Sequence, residues 1–369
     1  MFGVLAASSV RRCATSRADV STLHSYGMRQ CGKARIDNYK ARRHAEEQIV
    51  GASKEHIRAV LKAVSLAKGM LLRTRPEILT LIPRFQLEVK PSDEKRFAED
   101  VLAVMKACFY DLDTIDFDDQ IWMPVAHKRR VWQYDRVFID ETQDLNLAQI
   151  RLAMMACREG GRIVAVGDDR QSIYAFRGAD ERAIARVQSE LQASVFPLSV
   201  SYRCAKRIVC QAQGLVRDIE YAPNAPMGTV EDAGEKQLLR NAALGDFVVS
   251  RKNAPLVKFC LRLLKEGTPA VVLGRDVSSE LSALVQRSKT EDVTKMLEYV
   301  EKWKARELKR ILDQNPEADT DRIEDTVACI VAISEGEESV EDVRAKLRTM
   351  FDESGDAHRV TLMSTHKAK

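Results

Sequence analysis

The chain has 369 residues, a formal net charge of +4 and 30% charged residues. This length suits two or three domains, and the near balance of acids and bases excludes a basic tail or a long acidic disordered segment. We expect a reduced, intracellular protein without a membrane span, because its eight cysteines form no CxxC pair and its apolar runs fall short of ~18 residues.

The predicted elements alternate between short apolar strands and charged helices. Residues 30–113 are charged and mostly helical in period, and so are residues 278–356. Four short apolar runs that end in polar or Gly-rich turns predict buried parallel strands, at 136–141, 162–169, 246–251 and 269–276. We therefore expect an α/β protein with two parallel-sheet lobes and inserted helical subdomains.

Two features refine this prediction in the second half of the chain. A helical apolar stripe between the last two strands ends at Gly267, which is typical of a βαβ unit. Ser339 with Asp342 predicts a capping box at the start of a helix.

The strongest local motif is VFIDETQDLN, residues 137–146. Its strand delivers Asp140 and Glu141 at the carboxyl end, where open α/β sheets bind ligands. One carboxylate can hold Mg²⁺ and the other can orient or deprotonate an attacking water. The alternative is an acidic turn in which Asp144 caps the next helix.

The loop GDDRQSIYAFRGA, residues 167–179, follows the next predicted strand. Its Gln171 is placed to sense a terminal phosphate. Tyr174, Phe176 and Arg177 are suited to supporting a nucleobase by stacking and charge. A plain loop with a buried Phe is the alternative.

A third motif, PLSVSYRC, spans residues 197–204. Arg203 follows a predicted strand and could reach a γ-phosphate as an arginine finger, while Tyr202 could stack on a base. The alternative is an edge Tyr beside a solvated Arg.

These motifs together resemble the UvrD/Rep helicases of superfamily 1. VFIDETQDLN resembles motif II (Walker B), GDDRQSIYAFRGA motif III and LSVSYRC motif IV. Three further segments follow the family order: STLHSYG (21–27) resembles motif Ib, IDFDDQIWMPV (115–125) the segment that re-enters the first lobe, and TLMSTHKAK (361–369) the start of motif V.

The resemblance implies roles for individual residues. Asp140 would bind Mg²⁺, Glu141 would be the catalytic base, Gln171 would couple the γ-phosphate to DNA, Arg203 would be the arginine finger and Tyr202 would stack on adenine. Residues along single-stranded DNA would be Thr22, His24, Tyr174, Phe176, Arg177, Thr365 and His366. Phe176 stands where many relatives carry Trp, so its stacking face is smaller.

The resemblance also implies an architecture of two RecA-like lobes of the P-loop NTPase type. ATP and Mg²⁺ would bind between the lobes, and single-stranded DNA or a single-strand/duplex junction would lie across them, with 3′ to 5′ movement. The implied domains are 1–29 and 115–196 for the first lobe, 30–114 and 278–356 for the helical insertions, and 197–277 and 357–369 for the second lobe.

A phosphate-binding loop GxxxxGK[ST] is expected upstream of motif Ib, but motif Ib already begins at Ser21. The segment Gly27–Ala34 has the Gly and Lys spacing, yet Ala34 cannot ligate Mg²⁺, so we interpret it as a coincidence and Lys33 as solvated. Both ends of the fold are therefore expected to be incomplete, and the chain alone to be inactive.

Three explanations for the incomplete ends compete: a truncated gene, a split helicase whose separate chain supplies Walker A and motifs V and VI, and a non-catalytic DNA-binding or scaffold relative. Our hypothesis is a truncated or split gene, because a non-catalytic relative would be free to lose the carboxylates and the arginine finger. The expected location is the cytoplasm of a bacterial or phage-infected cell, with a nuclear or organellar location still open.

Overall fold

The computed structural model describes residues 2–6, 18–171, 182–314, 320–352 and 358–368. The chain forms two compact units, Met1–Phe196 and Pro197–Lys369. Each unit is α/β, and the strands of its sheets pair in parallel. This agrees with the α/β class predicted from the sequence.

The first unit contains a set of short strands and nine described α-helices. Its strands are β1 (Phe2–Ala6), β2 (Ala18–Thr22), β3 (Arg35–Ile36), β4 (Thr114–Ile115), β5 (Tyr134–Asp140) and β6 (Cys157–Ala165). Its helices are α1 (Leu23–Gln30), α2 (Lys40–Gln48), α3 (Lys54–Met70), α4 (Arg75–Leu79), α5 (Leu81–Phe85), α6 (Glu94–Tyr110), α7 (Asp119–Ala126), α8 (Leu147–Met155) and α9 (Ala183–Leu191).

The main sheet of the first unit has the strand order β2–β1–β5–β6. Alternation along β5 buries Val137 and Ile139 on one face and leaves Phe138 partly exposed on the other. The buried face packs with residues of α1, α7, α8 and α9. Burial of this apolar face therefore fixes the carboxyl end of β5, where the acidic motif begins.

A separate core lies in the helical region between β3 and α7. Apolar residues of α2, α3, α4, α5 and α6 form it, and Trp122 and Met123 of α7 contribute to the same cluster. The short strands β3 and β4 pair at the place where the chain enters and leaves this region. The helical segment thus has its own core and is joined to the sheet through α7.

The second unit has its own set of described elements. Its strands are β7 (Val200–Ser201), β8 (Glu220–Tyr221), β9 (Phe247–Ser250), β10 (Ala270–Leu273) and β11 (Val360–Ser364). Its helices are α10 (Lys206–Ala212), α11 (Glu235–Asn241), α12 (Asn253–Lys265), α13 (Arg275–Arg287), α14 (Val293–Gln314), α15 (Asp321–Ser334), α16 (Val340–Met350) and α17 (Thr365–Ala368).

Three strands of the second unit form a sheet in the order β10–β11–β9. Its core brings together apolar residues of α12, α13, α14, α15 and α16 with β10 and β11. The predicted capping box of Ser339 and Asp342 is present at the start of α16. Asp325 of α15 accepts hydrogen bonds from the backbone N–H groups of Asn253 and Ala254, both at 2.8 Å, and so anchors the start of α12.

The four predicted apolar runs form β5, β6, β9 and β10, and the predicted helix between the last two is α12. The prediction that these strands are buried is confirmed in part for β5 and β10 and is wrong for β6 and β9, which are edge strands without a buried residue. The strand before Tyr202 is the two-residue β7, which pairs with β8 apart from the three-stranded sheet. No helix in the described part of the chain is long and apolar enough to cross a membrane.

Candidate functional site

The acidic motif lies where β5 ends. Asp140 is the last residue of the strand and is exposed, as its place in the alternation requires. Glu141 has a left-handed backbone with φ 50°, and its N–H donates to Asp140 Oδ1 at 2.9 Å. A non-Gly residue in this region is uncommon and is found preferentially at functional sites. The tight turn places both carboxyl groups at the carboxyl edge of the sheet.

Gln143 links this acidic pair to the next motif. Its side-chain Nε2 donates to Glu141 Oε2 at 2.6 Å, and its Oε1 accepts from the backbone N–H of Asp168 at 3.1 Å. The side chain is only 2% exposed. Because the amide bonds both motifs while excluded from water, it holds the Glu141 carboxylate in a defined orientation.

Asp168 extends the chain of hydrogen bonds to the predicted sensor. Its carboxylate accepts from Gln171 Nε2 at 2.7 Å, and its carbonyl accepts from the Gln171 N–H at 3.0 Å. Glu141, Gln143, Asp168 and Gln171 therefore form one connected series. We call this series the polar relay.

Gly167 allows the two motifs to approach this closely. A Cβ added to Gly167 would lie 2.5 Å from Gln143 Oε1 and 3.2 Å from the backbone nitrogen of Thr142. A side chain at this position would therefore displace the Gln143 amide. The backbone is joined here as well, since Thr142 N–H donates to the Val166 carbonyl at 3.0 Å.

A second feature lies on α1 and on the turn before α7. The ring of His24 stacks on that of Phe117, with centroids 3.8 Å apart and an interplanar angle of 17°. Phe117 is 59% exposed, so the pair presents aromatic surface to solvent. Burial lowers the pKa of His24 to about 4, and the imidazole is neutral at physiological pH. We call this pair the aromatic platform.

Other predicted residues have different placements. Thr22 is the N-cap of α1, where its hydroxyl accepts from Ser25 N–H at 3.1 Å. Tyr202 and Arg203 are exposed after β7, and Thr365 is exposed at the start of α17, which also contains His366. Tyr174, Phe176 and Arg177 lie outside the described residues.

Residues 27–34, the near match to a phosphate loop, begin in the last turn of α1. Gly27 lies within α1, where an added Cβ would come within 2.0 Å of the Gln120 carbonyl oxygen of α7. The glycine therefore serves the packing of α1 on α7. A helical Gly27 cannot present its N–H to a phosphate in the way a P-loop does.

The alternative in which Asp144 caps the following helix is wrong. Asn146 is the N-cap of α8, and it forms a reciprocal capping box with Gln149. Asp144 instead ends a short 3₁₀ turn, Thr142–Asp144.

Sequence reasoning identified Asp140, Glu141, Gln171 and His24, but it missed Gln143 and Phe117 as members of the same groupings. Both were visible within motifs, Gln143 two residues after Glu141 and Phe117 between acidic residues. The Asp168 backbone that Gln143 contacts and the His24 ring on which Phe117 stacks come from distant segments, and the sequence carries no signal for those pairings. Among the described residues, no cluster of three or more His, Cys, Asp or Glu side chains could hold a metal ion.

Comparison with known proteins supplies a family. A model of the UvrD/REP helicase N-terminal domain matches residues 6–192. The chain is similar to the ATP-dependent DNA helicase Rep of Buchnera aphidicola subsp. Acyrthosiphon pisum (strain APS), at 28% identity over 213 residues, covering 53% of this chain and 33% of that protein.

Two further relatives are also ATP-dependent DNA helicases. Identity is 30% over 200 residues with the ATP-dependent DNA helicase PcrA of Bacillus subtilis (strain 168), covering 52% of this chain and 26% of PcrA. It is 33% over 123 residues with the ATP-dependent DNA helicase Rep of Escherichia coli (strain K12), covering 31% of this chain and 18% of Rep. The matches span about a third or less of the length of these relatives.

Proposed function

Because this chain belongs to the UvrD/REP helicase family, we propose that it provides part of an ATP-dependent DNA helicase that moves 3′ to 5′ on single-stranded DNA. The observation that carries this proposal is the polar relay, which joins the acidic motif to the loop containing Gln171. A motor needs such a connection, since hydrolysis at one group must be sensed at another.

The acidic edge suits Mg²⁺ and ATP. Mg²⁺ prefers carboxylate oxygen and is commonly held by one or two protein carboxylates together with substrate phosphates. Asp140, exposed at the end of β5, offers such an oxygen. Bound Mg²⁺ would neutralise developing charge on the phosphates. Glu141 would then orient or deprotonate the attacking water, with Gln143 fixing its carboxylate.

A further requirement is a loop that binds the triphosphate. No GxxxxGK[ST] sequence occurs in the 369 residues, and Gly27 of the near match is helical. We propose that a further segment or a separate chain supplies the phosphate loop, and that this chain alone hydrolyses little ATP.

The aromatic platform is proposed to contact single-stranded DNA. An exposed, uncharged aromatic face can stack on any base, which suits a motor that moves along DNA irrespective of sequence. Thr22 lies at the start of the same helix as His24. Tyr174, Phe176 and Arg177, and in the second unit Thr365 and His366, complete the proposed DNA-binding set.

In the second unit, Arg203 is proposed as the arginine finger and Tyr202 as the adenine-stacking residue. Both are exposed after β7, as such roles require. We further propose that residues 1–29 and 115–196 form one RecA-like lobe, with 30–114 as its helical insertion. The separate cores of these regions support that division.

The test is single-strand-stimulated ATP hydrolysis by a fusion that adds a family phosphate loop with its strand and helix. We expect Glu141→Gln to abolish turnover while single-strand binding is retained. Glu159→Gln, the same substitution at an exposed residue of β6, is the matched control and should remain active. A fusion that binds DNA yet hydrolyses nothing would identify the protein as a non-catalytic DNA-binding relative.

A further inference from the structure

A network of buried charges lies between the helical segment and the start of α7. Lys40 Nζ of α2 is 2.7 Å from Asp119 Oδ2, and Lys68 Nζ of α3 is 2.8 Å from Asp119 Oδ1. Lys68 Nζ also lies 2.8 Å from Asp116 Oδ2. All four side chains are buried, and two cations face two carboxylates.

Stability alone does not account for this network. Removing ions from water is costly, and replacing a buried ion pair with apolar side chains of similar volume is often neutral or stabilising. Burial opposes the charge on Lys68, but Asp119 and Asp116 outweigh that effect and raise the pKa of Lys68 above its ordinary value. Directional ion pairs can, however, fix the position of the backbone between them.

That backbone is the turn that carries Phe117. Asp119 N–H donates to Asp116 Oδ1 at 2.7 Å, and Lys68 bridges the two carboxylates from outside. The ends of the turn are therefore held on both sides of Phe117. Phe117 is 59% exposed, so its position depends on this turn and on the stack with His24.

The segment before the turn is held by the same network. Lys40 Nζ donates to the carbonyls of Asp111 at 2.8 Å and Thr114 at 2.7 Å, which fixes the entry into β4. The Nζ of Lys68 also lies 5.5 Å from the ring centroid of Trp122, one helical turn after Asp119. The chain on both sides of Phe117 is thus tied to α2 and α3.

We propose that Lys40 and Lys68 are positioning residues that hold Phe117 in its stack with His24 for contact with a nucleobase. Through these two lysines the helical segment would contribute to the geometry of the DNA-binding site. This inference rests on the proposed role of the aromatic platform in binding single-stranded DNA.

The test compares the affinity of the full chain for a dT oligonucleotide with its affinity for an abasic strand of the same length. The ratio of the dT affinity to the abasic affinity measures base stacking, because both strands have the same charged backbone. Stacking of about 1–3 kcal/mol per base corresponds to about 5- to 150-fold. We therefore expect Phe117→Ala to lower the ratio by a factor in that range.

The decisive variant combines Lys68→Met with Asp116→Asn, which keeps the network neutral and retains an acceptor for Asp119 N–H. We expect it to lose most of the Phe117→Ala factor while its affinity for the abasic strand changes less than about twofold. Adding Phe117→Ala to it should lower the ratio no further. Lys54→Met, the same substitution at an exposed position of α3, should match the wild type.

Near-UV circular dichroism and tryptophan fluorescence establish that each variant is folded. If the combined variant does not fold, Asp116→Asn alone is used, because Lys68 keeps Asp119 as a partner. For this single variant we expect the ratio of dT affinity to abasic affinity to fall at least threefold.

A folded variant with the wild-type ratio would overturn the positioning role while leaving the proposed function standing. A wild-type chain that binds neither strand, or both equally, would instead contradict the role of the aromatic platform itself.

Discussion

At the scale of single residues, the structure adds a polar side chain to the acidic pair. Gln143 bonds Glu141 on one side and the Asp168 backbone on the other, and it is excluded from water. A Cβ added at Gly167 would lie 2.5 Å from Gln143 Oε1 and would displace that amide. The geometry of the acidic motif therefore depends on residues outside the two carboxylates.

We predict that Gln143→Leu lowers the turnover number of the ATPase-competent fusion by about 10- to 100-fold, the usual effect of losing a partner that orients a reacting group. The apparent KM for ATP should change little, because Gln143 acts through Glu141. Steady-state kinetics with single-stranded DNA measures both quantities. Loss of nucleotide affinity at unchanged turnover would contradict the orienting role.

The aromatic platform gives a second prediction, which concerns pH. The pKa of His24 is lowered to about 4 by burial under Phe117 and its surroundings, against 6.5 when exposed. Since the unfolded chain binds this proton more readily, the contribution of neutral His24 to stability is complete above about pH 6.5 and is lost as the pH falls through about 4.

An NMR titration of the His24 ring measures this pKa directly. In the wild type we expect a value of about 4, and in Phe117→Ala a value moved upward toward 6.5, because the imidazole regains water. An unchanged value in the variant would show that Phe117 does not shield His24.

At the scale of elements, strands and helices with strong periodicity could be predicted from the sequence. The apolar runs that became β5, β6, β9 and β10 and the stripe of α12 were clear, because nearly continuous apolar residues are typical of parallel strands. Their burial was predicted less well, since no residue of the edge strands β6 and β9 is buried. The pairing of β7 with β8 was not foreseeable, since two-residue strands carry no periodicity.

The candidate site also contains features that the sequence predicts and features that it does not. Asp140 and Glu141 are placed by a strand end, which a local pattern reveals. The stack of His24 on Phe117 and the pairing of Lys68 with Asp116 join residues far apart in sequence. Such pairings depend on how the helices pack, and a single sequence does not reveal that packing.

Packing of α1 on α7 gives an element-scale prediction. Gly27→Ala would drive a Cβ to within 2.0 Å of the Gln120 carbonyl, so the helices must separate. We expect the free energy of unfolding of the first unit to fall by about 1–3 kcal/mol. Chemical denaturation measures this change.

Lys33→Ala is the control within the same eight-residue segment, because Lys33 is exposed. It should leave both stability and nucleotide binding unchanged. Loss of nucleotide binding in Lys33→Ala would revive the phosphate-loop interpretation of residues 27–34.

At the scale of the whole molecule, apolar residues of each unit form their own cores. The clusters around α3 and α6 and around β5 and α8 belong to the first unit, and the cluster around α12 and α15 belongs to the second. Because a domain with its own core can unfold as a cooperative unit, each unit should have a stability of its own.

Calorimetry of the full chain should therefore resolve two unfolding transitions that respond to different substitutions. Ser339→Ala removes the capping box of α16 and should cost about 1 kcal/mol, which lowers the midpoint of the second unit's transition by about 2–4 °C. Gly27→Ala should lower only the other midpoint. A single transition whose midpoint both substitutions lower would show that the two units unfold as one cooperative body, and the assignment of separate stabilities to them would be wrong.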